Sequence, residues 1–138
     1  MNHRTSKIVR ISAIAVAVGT LGALVLQAQT PPPQVKRTVV LKQDASFPDR
    51  EGVMILAELP VGASEGKHTH FAEVFAFVLE GTISQESEGF PTVTLKAGDV
   101  FHVLPGKVHN ATNNGTVTAK LAAVLVAEKG KPLTTPVK

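Results

Sequence analysis

The stretch GASEGKHTHFAEVFAFVLEG, residues 62–81, decides the fold, because it is a glycine-framed β segment that begins with a His-Thr-His pair. Side chains alternate between the two faces of a strand, so His68 and His70 point the same way and can bind one ion together. Imidazole is a good ligand for zinc, copper, iron and nickel. The stretch therefore predicts two ligands of a metal site, and a third ligand has to come from another strand.

A second stretch, GDVFHVLPGKVHNATN over residues 98–113, supplies that ligand. The dipeptides Gly98-Asp99 and Pro105-Gly106 are turn signals on either side of a short apolar run. His109 follows the second turn, so a neighbouring strand can deliver it to the same cavity. His102 lies inside the apolar run, where we expect it to pack or to bond the backbone. A role as a metal ligand or proton shuttle is the alternative for His102.

From residue 35 onward the chain alternates between short apolar segments and turn residues. These segments are rich in Val, Thr and Phe, as strands are. Eight strands are expected, at residues 35–42, 53–59, 74–79, 82–85, 92–95, 100–104, 108–111 and 116–127. The last of these contains enough alanine to form a helix, but its start alternates polar and apolar residues and favours a strand. Short strands at this spacing predict an all-β sandwich or barrel.

The two histidine-bearing stretches resemble the motifs of the cupin family, in small single-domain bacterial members. The positions that match are Gly62, His68, His70 and Gly81 in the first motif, and Gly98, Gly106, His109 and Asn113 in the second. The resemblance implies a single cupin-type β-barrel, a jelly roll or double-stranded β-helix, over residues 35–138. It also implies a divalent metal ion, Fe, Mn, Zn or Ni, bound by His68, His70 and His109.

The chain departs from the family pattern at the metal-binding glutamate. Counting back from Gly81, that position holds Val74, and the nearby acid is Glu73. On a regular strand Glu73 points away from the face shared by His68, His70 and Val74. We therefore expect three histidine ligands without a carboxylate. Glu73 stays an alternative fourth ligand, because a bulge after His70 would reverse the parity.

The first 28 residues have the pattern of a secretory signal peptide. Basic residues at the start precede an apolar stretch over residues 11–26, with a possible cleavage site after Ala28. We expect a signal peptide at 1–28, a Pro-rich linker at 29–34 and a periplasmic or secreted cupin domain at 35–138. The apolar stretch is shorter than the roughly 20 residues of a spanning helix. An uncleaved leader that anchors the protein to a membrane is the minority alternative.

Charge and cysteine content narrow the possible partners. The 138-residue chain has a formal net charge of +3, but three basic residues lie in the leader, and residues 29–138 carry equal numbers of basic and acidic residues. A neutral domain gives no indication of a nucleic-acid surface. No cysteine is present, which excludes disulfides and thiolate ligands. We expect a small-molecule ligand, and a membrane contact only if the leader is retained.

Three neutral imidazoles leave a divalent ion with its full charge, so open coordination positions favour an anionic or chelating ligand. Val74, Ala76 and Val78 are expected to line a small apolar cavity on the histidine face. The resemblance suggests an iron-dependent dioxygenase that acts on a small organic anion. A lyase or isomerase that uses another metal, and a non-catalytic ligand-binding β-barrel, are the alternatives. Proton transfer would fall to metal-bound water, His102, Glu73 or the substrate.

We expect the phenylalanine side chains of the domain to lie either in the core or in a subunit interface. Phe75 and Phe77 alternate with the residues on the histidine face and so lie on the opposite side of the strand. Phe71 and Phe101 flank the same two stretches. Small cupins commonly pair across a two-fold axis, so we expect a homodimer.

Overall fold

The computed structural model describes residues 30–138 and contains only β-strands as regular structure within that range. The predicted leader at residues 1–28 lies outside the described residues. Residues 30–35 precede the first strand without regular structure. No helix in the described part of the chain is long and apolar enough to cross a membrane.

Ten strands form two antiparallel sheets of five strands each. Their bounds are β1 Lys36–Asp44, β2 Arg50–Leu59, β3 His68–Thr69, β4 Ala72–Glu80, β5 Thr82–Ser87, β6 Phe90–Lys96, β7 Val100–Val103, β8 His109–Thr112, β9 Ala119–Glu128 and β10 Thr135–Pro136. The strand order is β1-β2-β9-β4-β7 in one sheet and β10-β3-β8-β5-β6 in the other. This architecture is the expected all-β double-stranded β-helix.

All eight predicted strands are present, and two short ones were not predicted. The stretch 116–127 forms strand β9 from Ala119 onward, so the helical alternative is wrong. The additional strands β3 and β10 have two residues each and pair with one another, His68 opposite Pro136 and Thr69 opposite Thr135. A two-residue strand is too short to show a period in the sequence.

The core lies between the two sheets. One cluster combines Leu59, Val78 and Leu121 of the first sheet with Ile83 and Ala111 of the second. A second cluster packs side chains of β2, β4, β7 and β9, namely Val53, Ala72, Val74, Val103, Leu125 and Ala127. Burial of these aliphatic groups is the main source of stability, because the chain has no disulfide.

The phenylalanines divide between core and surface. Phe101 is half-buried and packs against both core clusters. Phe71, Phe75 and Phe77 are exposed by 43–48%, so the core alternative is wrong for these three. Phe75 and Phe77 lie on the outer face of β4, as the alternation in the sequence predicted.

Candidate metal centre

Strands β3 and β8 bring His68 and His109 together across the second sheet. The two residues are direct partners in an antiparallel pair. Partners of this kind have Cβ atoms about 4.5–5.5 Å apart on the same face. His70 follows two residues after His68 and shares that face. Strand register therefore brings His68 and His109 together, and His70 lies one residue beyond the end of β3.

The three imidazole rings form a compact triangle. Ring centroids are 4.7 Å apart for His68 and His70, 4.2 Å for His68 and His109, and 4.9 Å for His70 and His109. One ligand nitrogen from each ring lies within 4.8 Å of those from the other two. The three histidines proposed from the sequence are thus side by side, at the spacing of ligands around one ion.

Backbone carbonyl groups fix the orientation of each ring. The Nδ1 atom of His68 donates to the Gly66 carbonyl oxygen at 2.6 Å, and that of His109 donates to the Lys107 carbonyl oxygen at 3.0 Å. His70 donates through Nδ1 to the carbonyl oxygen of Leu133. Because a carbonyl oxygen only accepts, the proton of each ring sits on Nδ1 and the Nε2 lone pair is free.

The contact between two free lone pairs indicates a cation site. The Nε2 atoms of His68 and His70 are 3.2 Å apart. With both protons on Nδ1, this contact has no hydrogen to share and is repulsive unless a positive charge lies between the two atoms. Two imidazole nitrogens bound to one ion at tetrahedral or octahedral angles are about 2.9–3.4 Å apart. The donor set therefore fits a divalent metal ion.

Burial favours the neutral form of His70 and His109. His68 and His109 are each only 4% exposed. Burial lowers the pKa of His70 to about 4, against the opposing effect of the Leu133 carbonyl group. Burial also lowers the pKa of His109, opposed by the Lys107 carbonyl group. Both side chains are consequently neutral at pH 7, which is the form that binds a metal ion.

A cavity of about 50 Å³ adjoins the three rings. Most of its wall is apolar and comes from β2, β4 and β9, including Val74 and Ala76 on the face predicted from the sequence. Val78, the third residue predicted to line it, is instead fully buried in the neighbouring core cluster. The cavity is much smaller than the 300–1,000 Å³ of a site for a drug-sized ligand, so it suits a molecule of a few heavy atoms.

Two charged residues that the sequence did not single out also line this cavity, Arg37 and Glu65. The Nη2 atom of Arg37 donates to Glu65 Oε1 at 3.1 Å. Glu65 precedes His68 by three residues within the first motif, and this proximity was the available signal. Arg37 lies on β1, whose residues are all exposed, and no periodicity distinguishes it.

Glu73 does not join the histidines. The inward-facing side chains of β4 are Ala72 and Val74, which are buried, and Glu73 lies between them and so points to the other face of the strand. Its Oε1 atom instead accepts a hydrogen bond from His102 Nε2 at 2.8 Å. The alternative of Glu73 as a fourth ligand is therefore not supported.

His102 lies on the outer face of the first sheet, not in the interior. Its side chain is 44% exposed. The ring stacks on Phe75 with centroids 4.9 Å apart, and the strand partner of His102 is Phe75. His102 therefore packs, as expected, but on the outer face, and its hydrogen bond is to the Glu73 side chain and not to the backbone. This position also removes His102 and Glu73 from proton transfer at the cavity.

Comparison with protein families gives one match over the central part of the chain. The profile described as "Cupin domain" matches residues 55–126, just over half of the sequence. The matched residues include the three histidines of the candidate metal centre, His68, His70 and His109. No curated protein matches the sequence.

Solved structures of similar fold cover most of the described chain. A conserved protein with a double-stranded β-helix domain from Klebsiella pneumoniae is 22% identical, with a TM-score of 0.61, over 79% of this chain and 90% of that one. A protein described as a predicted oxalate decarboxylase from Thermotoga maritima is 26% identical, with a TM-score of 0.59, over 67% and 80%. KdgF from a Halomonas species is 22% identical, with a TM-score of 0.55, over 72% and 87%.

Proposed function

The chain belongs to the cupin domain family, and from this premise we propose that it binds one divalent metal ion through His68, His70 and His109 and acts there on a small organic anion. The observation that carries the proposal is the arrangement of the three Nε2 atoms. Each ring donates its Nδ1 proton to a backbone carbonyl oxygen, so all three lone pairs are available to one ion. Such hydrogen bonds orient and strengthen histidine ligands.

The donor set favours an anionic ligand. Three neutral imidazoles contribute no negative charge, so the site with its ion would keep a charge of +2. Iron in this site would supply oxygen-dependent cleavage of the bound anion, whereas zinc, nickel or manganese would supply polarisation for proton abstraction. The oxygen-dependent reaction is our leading proposal for the activity, and the lyase or isomerase reaction is the alternative.

The cavity supports a small substrate. Its volume of about 50 Å³ limits it to a short ligand, far below the size of a site for a drug-sized molecule. Side chains such as Val74, Ala76 and Leu125 limit the access of bulk water to the reacting groups. Glu65 is the carboxylate that lines this cavity, so it is the residue placed to accept a proton from a bound ligand. The likeness to a predicted oxalate decarboxylase supports a substrate in the class of short carboxylic acids.

The proposal includes export, because the leader at residues 1–28 has the composition of a signal peptide. We propose a periplasmic or secreted location for the cupin domain. N-terminal sequencing of the protein from the periplasm or medium tests this part. A start near residue 29 is the expected result, and an intact Met1 would contradict cleavage.

The metal content of three proteins tests the site. We expect the wild type, purified without chelators, to hold about one ion per chain, the usual content of a three-histidine site. His109→Ala removes one of three ligands and should lose most of the ion, whereas His102→Ala, on the outer face, should retain it. Metal analysis together with thermal melting provides the measurement. Equal metal content in the two variants would contradict the assignment.

Oxygen uptake then tests the reaction. The iron-loaded wild type is mixed with a panel of short carboxylic acids in a sealed oxygen-electrode chamber. Uptake that depends on both iron and one of the acids is the expected result, and it should be absent from His109→Ala. Turnover without oxygen in the zinc, nickel or manganese form would favour the lyase or isomerase reaction. Loss of stability on metal removal, without turnover in any form, would favour a non-catalytic role.

A further inference from the structure

A pair of opposite charges, Arg37 and Glu65, shares the cavity with the three histidines. The Glu65 side chain is 13% exposed and that of Arg37 is 39% exposed. Ion pairs on the open surface contribute little, but a guanidinium group in the wall of a small cavity has a ligand within reach. This pair is not part of the metal-binding set.

Strand register places Arg37 toward the interior. Arg37 lies directly opposite Ala57 in the β1–β2 pair, and side chains of such partners project from the same face. Ala57 is buried and lines the cavity. Glu65 is held from the other side, where its backbone N–H donates to the Ala111 carbonyl oxygen at 2.9 Å.

The contact between the two side chains leaves donors for a ligand. Arg37 bonds Glu65 through one nitrogen, Nη2, to one carboxylate oxygen. A guanidinium group carries five N–H donors in a rigid plane that suits a second carboxylate. Glu65 can therefore orient Arg37 without occupying the whole guanidinium group.

The net charge of the cavity with a bound divalent ion determines which anion it favours. The ion contributes +2, the three imidazoles are neutral, and the charges of Arg37 and Glu65 cancel. A monoanion would leave a net positive charge in a small, partly buried cavity. A dianion would balance the charge completely.

We propose that Arg37, positioned by Glu65, is a second anion anchor, and that the preferred ligand is a short dicarboxylate dianion with one carboxylate at the histidine cluster and the other on the guanidinium group. This inference rests on the proposed function, because it requires the ion at the three histidines. A cavity of about 50 Å³ further restricts the ligand to a short acid without a ring.

Calorimetric titration of the zinc-loaded protein with malonate and with acetate, at one ionic strength, tests the anchor. Zinc is used because it takes no part in oxygen chemistry. We expect wild-type protein to bind malonate at least about 10-fold more tightly than acetate, the effect of one charge-assisted hydrogen-bonded pair. Arg37→Met should abolish this preference, and Arg37→Lys should keep part of it.

Arg50→Met is the matched control, because Arg50 is also an arginine with a 40% exposed side chain but does not line the cavity. It should leave both affinities unchanged. Zinc content and far-UV circular dichroism are measured on every variant, so that loss of metal or of fold is separated from loss of anion binding. A preference for malonate that survives in Arg37→Met, or is absent from zinc-loaded wild type, would overturn the anchor alone. Wild type that holds no zinc would overturn both this inference and the proposed function.

Glu65→Gln tests the positioning role separately. Removal of a negative charge should strengthen acetate binding, whereas a less fixed Arg37 should lower the ratio of malonate to acetate affinity. A merely structural role for Glu65 would not change this ratio. An unchanged ratio in a folded, zinc-loaded variant would contradict positioning by Glu65.

Discussion

His70 is held differently from the other two histidines. His68 and His109 bond carbonyl groups two residues away, whereas the partner of His70 is Leu133, 63 residues further along the chain. It is also less deeply buried than His68 and His109. His70 is thus the ligand whose orientation depends most on the completed tertiary structure.

The lowered pKa of His70 predicts an acid-sensitive metal-free protein. Its pKa is about 4 in the folded state, against about 6.5 for an unperturbed histidine. Between these values the unfolded chain binds a proton that the folded chain does not, so stability falls as the pH drops from about 6.5 to about 4. Above about 6.5 both states are neutral and the contribution of His70 is constant.

Urea unfolding in the presence of a chelator, at several pH values between 4 and 8, provides the measurement. Other groups also titrate in this range, so His70→Asn is measured in parallel. The midpoint of the wild type should fall more steeply with acid than that of the variant. Parallel curves would rule out the predicted contribution.

The histidine ligands could be predicted from the sequence because strand parity and two turn-framed motifs determine where their side chains point. The cavity face of β4 followed from the same alternation. Arg37 and Glu65 could not be found in this way, because one lies on an exposed strand and the other in a loop. Their meeting depends on how β1 pairs with β2, which a single sequence does not encode locally.

At the scale of elements, the C-terminal segment completes the metal centre. Strand β10 pairs with β3 next to His68, and Val137 donates its N–H to the Lys67 carbonyl oxygen at 2.9 Å. The same segment provides the Leu133 carbonyl group that orients His70. The pairing connects the end of the chain to the segment that bears two of the three ligands.

Deletion of residues 133–138 should therefore weaken metal binding while leaving the two sheets largely intact. We expect a loss of about 10–100-fold in affinity, the usual effect of removing a partner that orients a histidine ligand. Competition with a coloured chelator measures the affinity, and circular dichroism monitors the fold. Deletion of Lys138 alone is the control. Equal affinity in the two truncated proteins would show that the segment does not support the site.

Gly81 forms the tight connection between β4 and β5. Its φ is 74°, and a Cβ atom there would lie 2.9 Å from the Ala119 Cα. Gly81→Ala should cost about 2–4 kcal/mol, from a left-handed backbone and a backbone clash together.

At Gly89, φ is 85° but no atom lies within 4 Å of the added Cβ. Gly89→Ala should cost only about 1–2 kcal/mol. Chemical denaturation gives both values, and equal losses would contradict the steric part.

At the scale of the molecule, the outer face of the first sheet carries an apolar concave patch. Met54, Phe75, Phe77, Val100 and Val124 line it, around a volume of about 660 Å³. Contiguous apolar surface of this kind commonly marks a contact with another protein. A second copy of the chain is the partner we propose, in line with the homodimer expected from the family.

Light scattering coupled to size-exclusion chromatography tests this prediction. The wild type should have the mass of a dimer at micromolar concentration, and Phe77→Glu should shift it toward the monomer by placing a charge in the patch. Phe90 is 70% exposed on the other sheet, so Phe90→Glu should remain dimeric. A monomeric wild type would refute the dimer, and dissociation of the Phe90 variant would place the contact elsewhere.

The use of backbone carbonyl groups to hold all three rings has a thermodynamic consequence. The rings of His68 and His109 meet only after β3 has paired with β8, and the Leu133 carbonyl group reaches His70 only after the C-terminal segment has docked on β3, so the unfolded chain offers an ion no comparable site. Binding to the native state alone raises its stability with the logarithm of free ligand concentration, by about 2.7 kcal/mol at 100 times the dissociation constant. The melting temperature should accordingly rise with the concentration of added ion without reaching a plateau. The dependence of the melting temperature on ion concentration should therefore give the metal affinity.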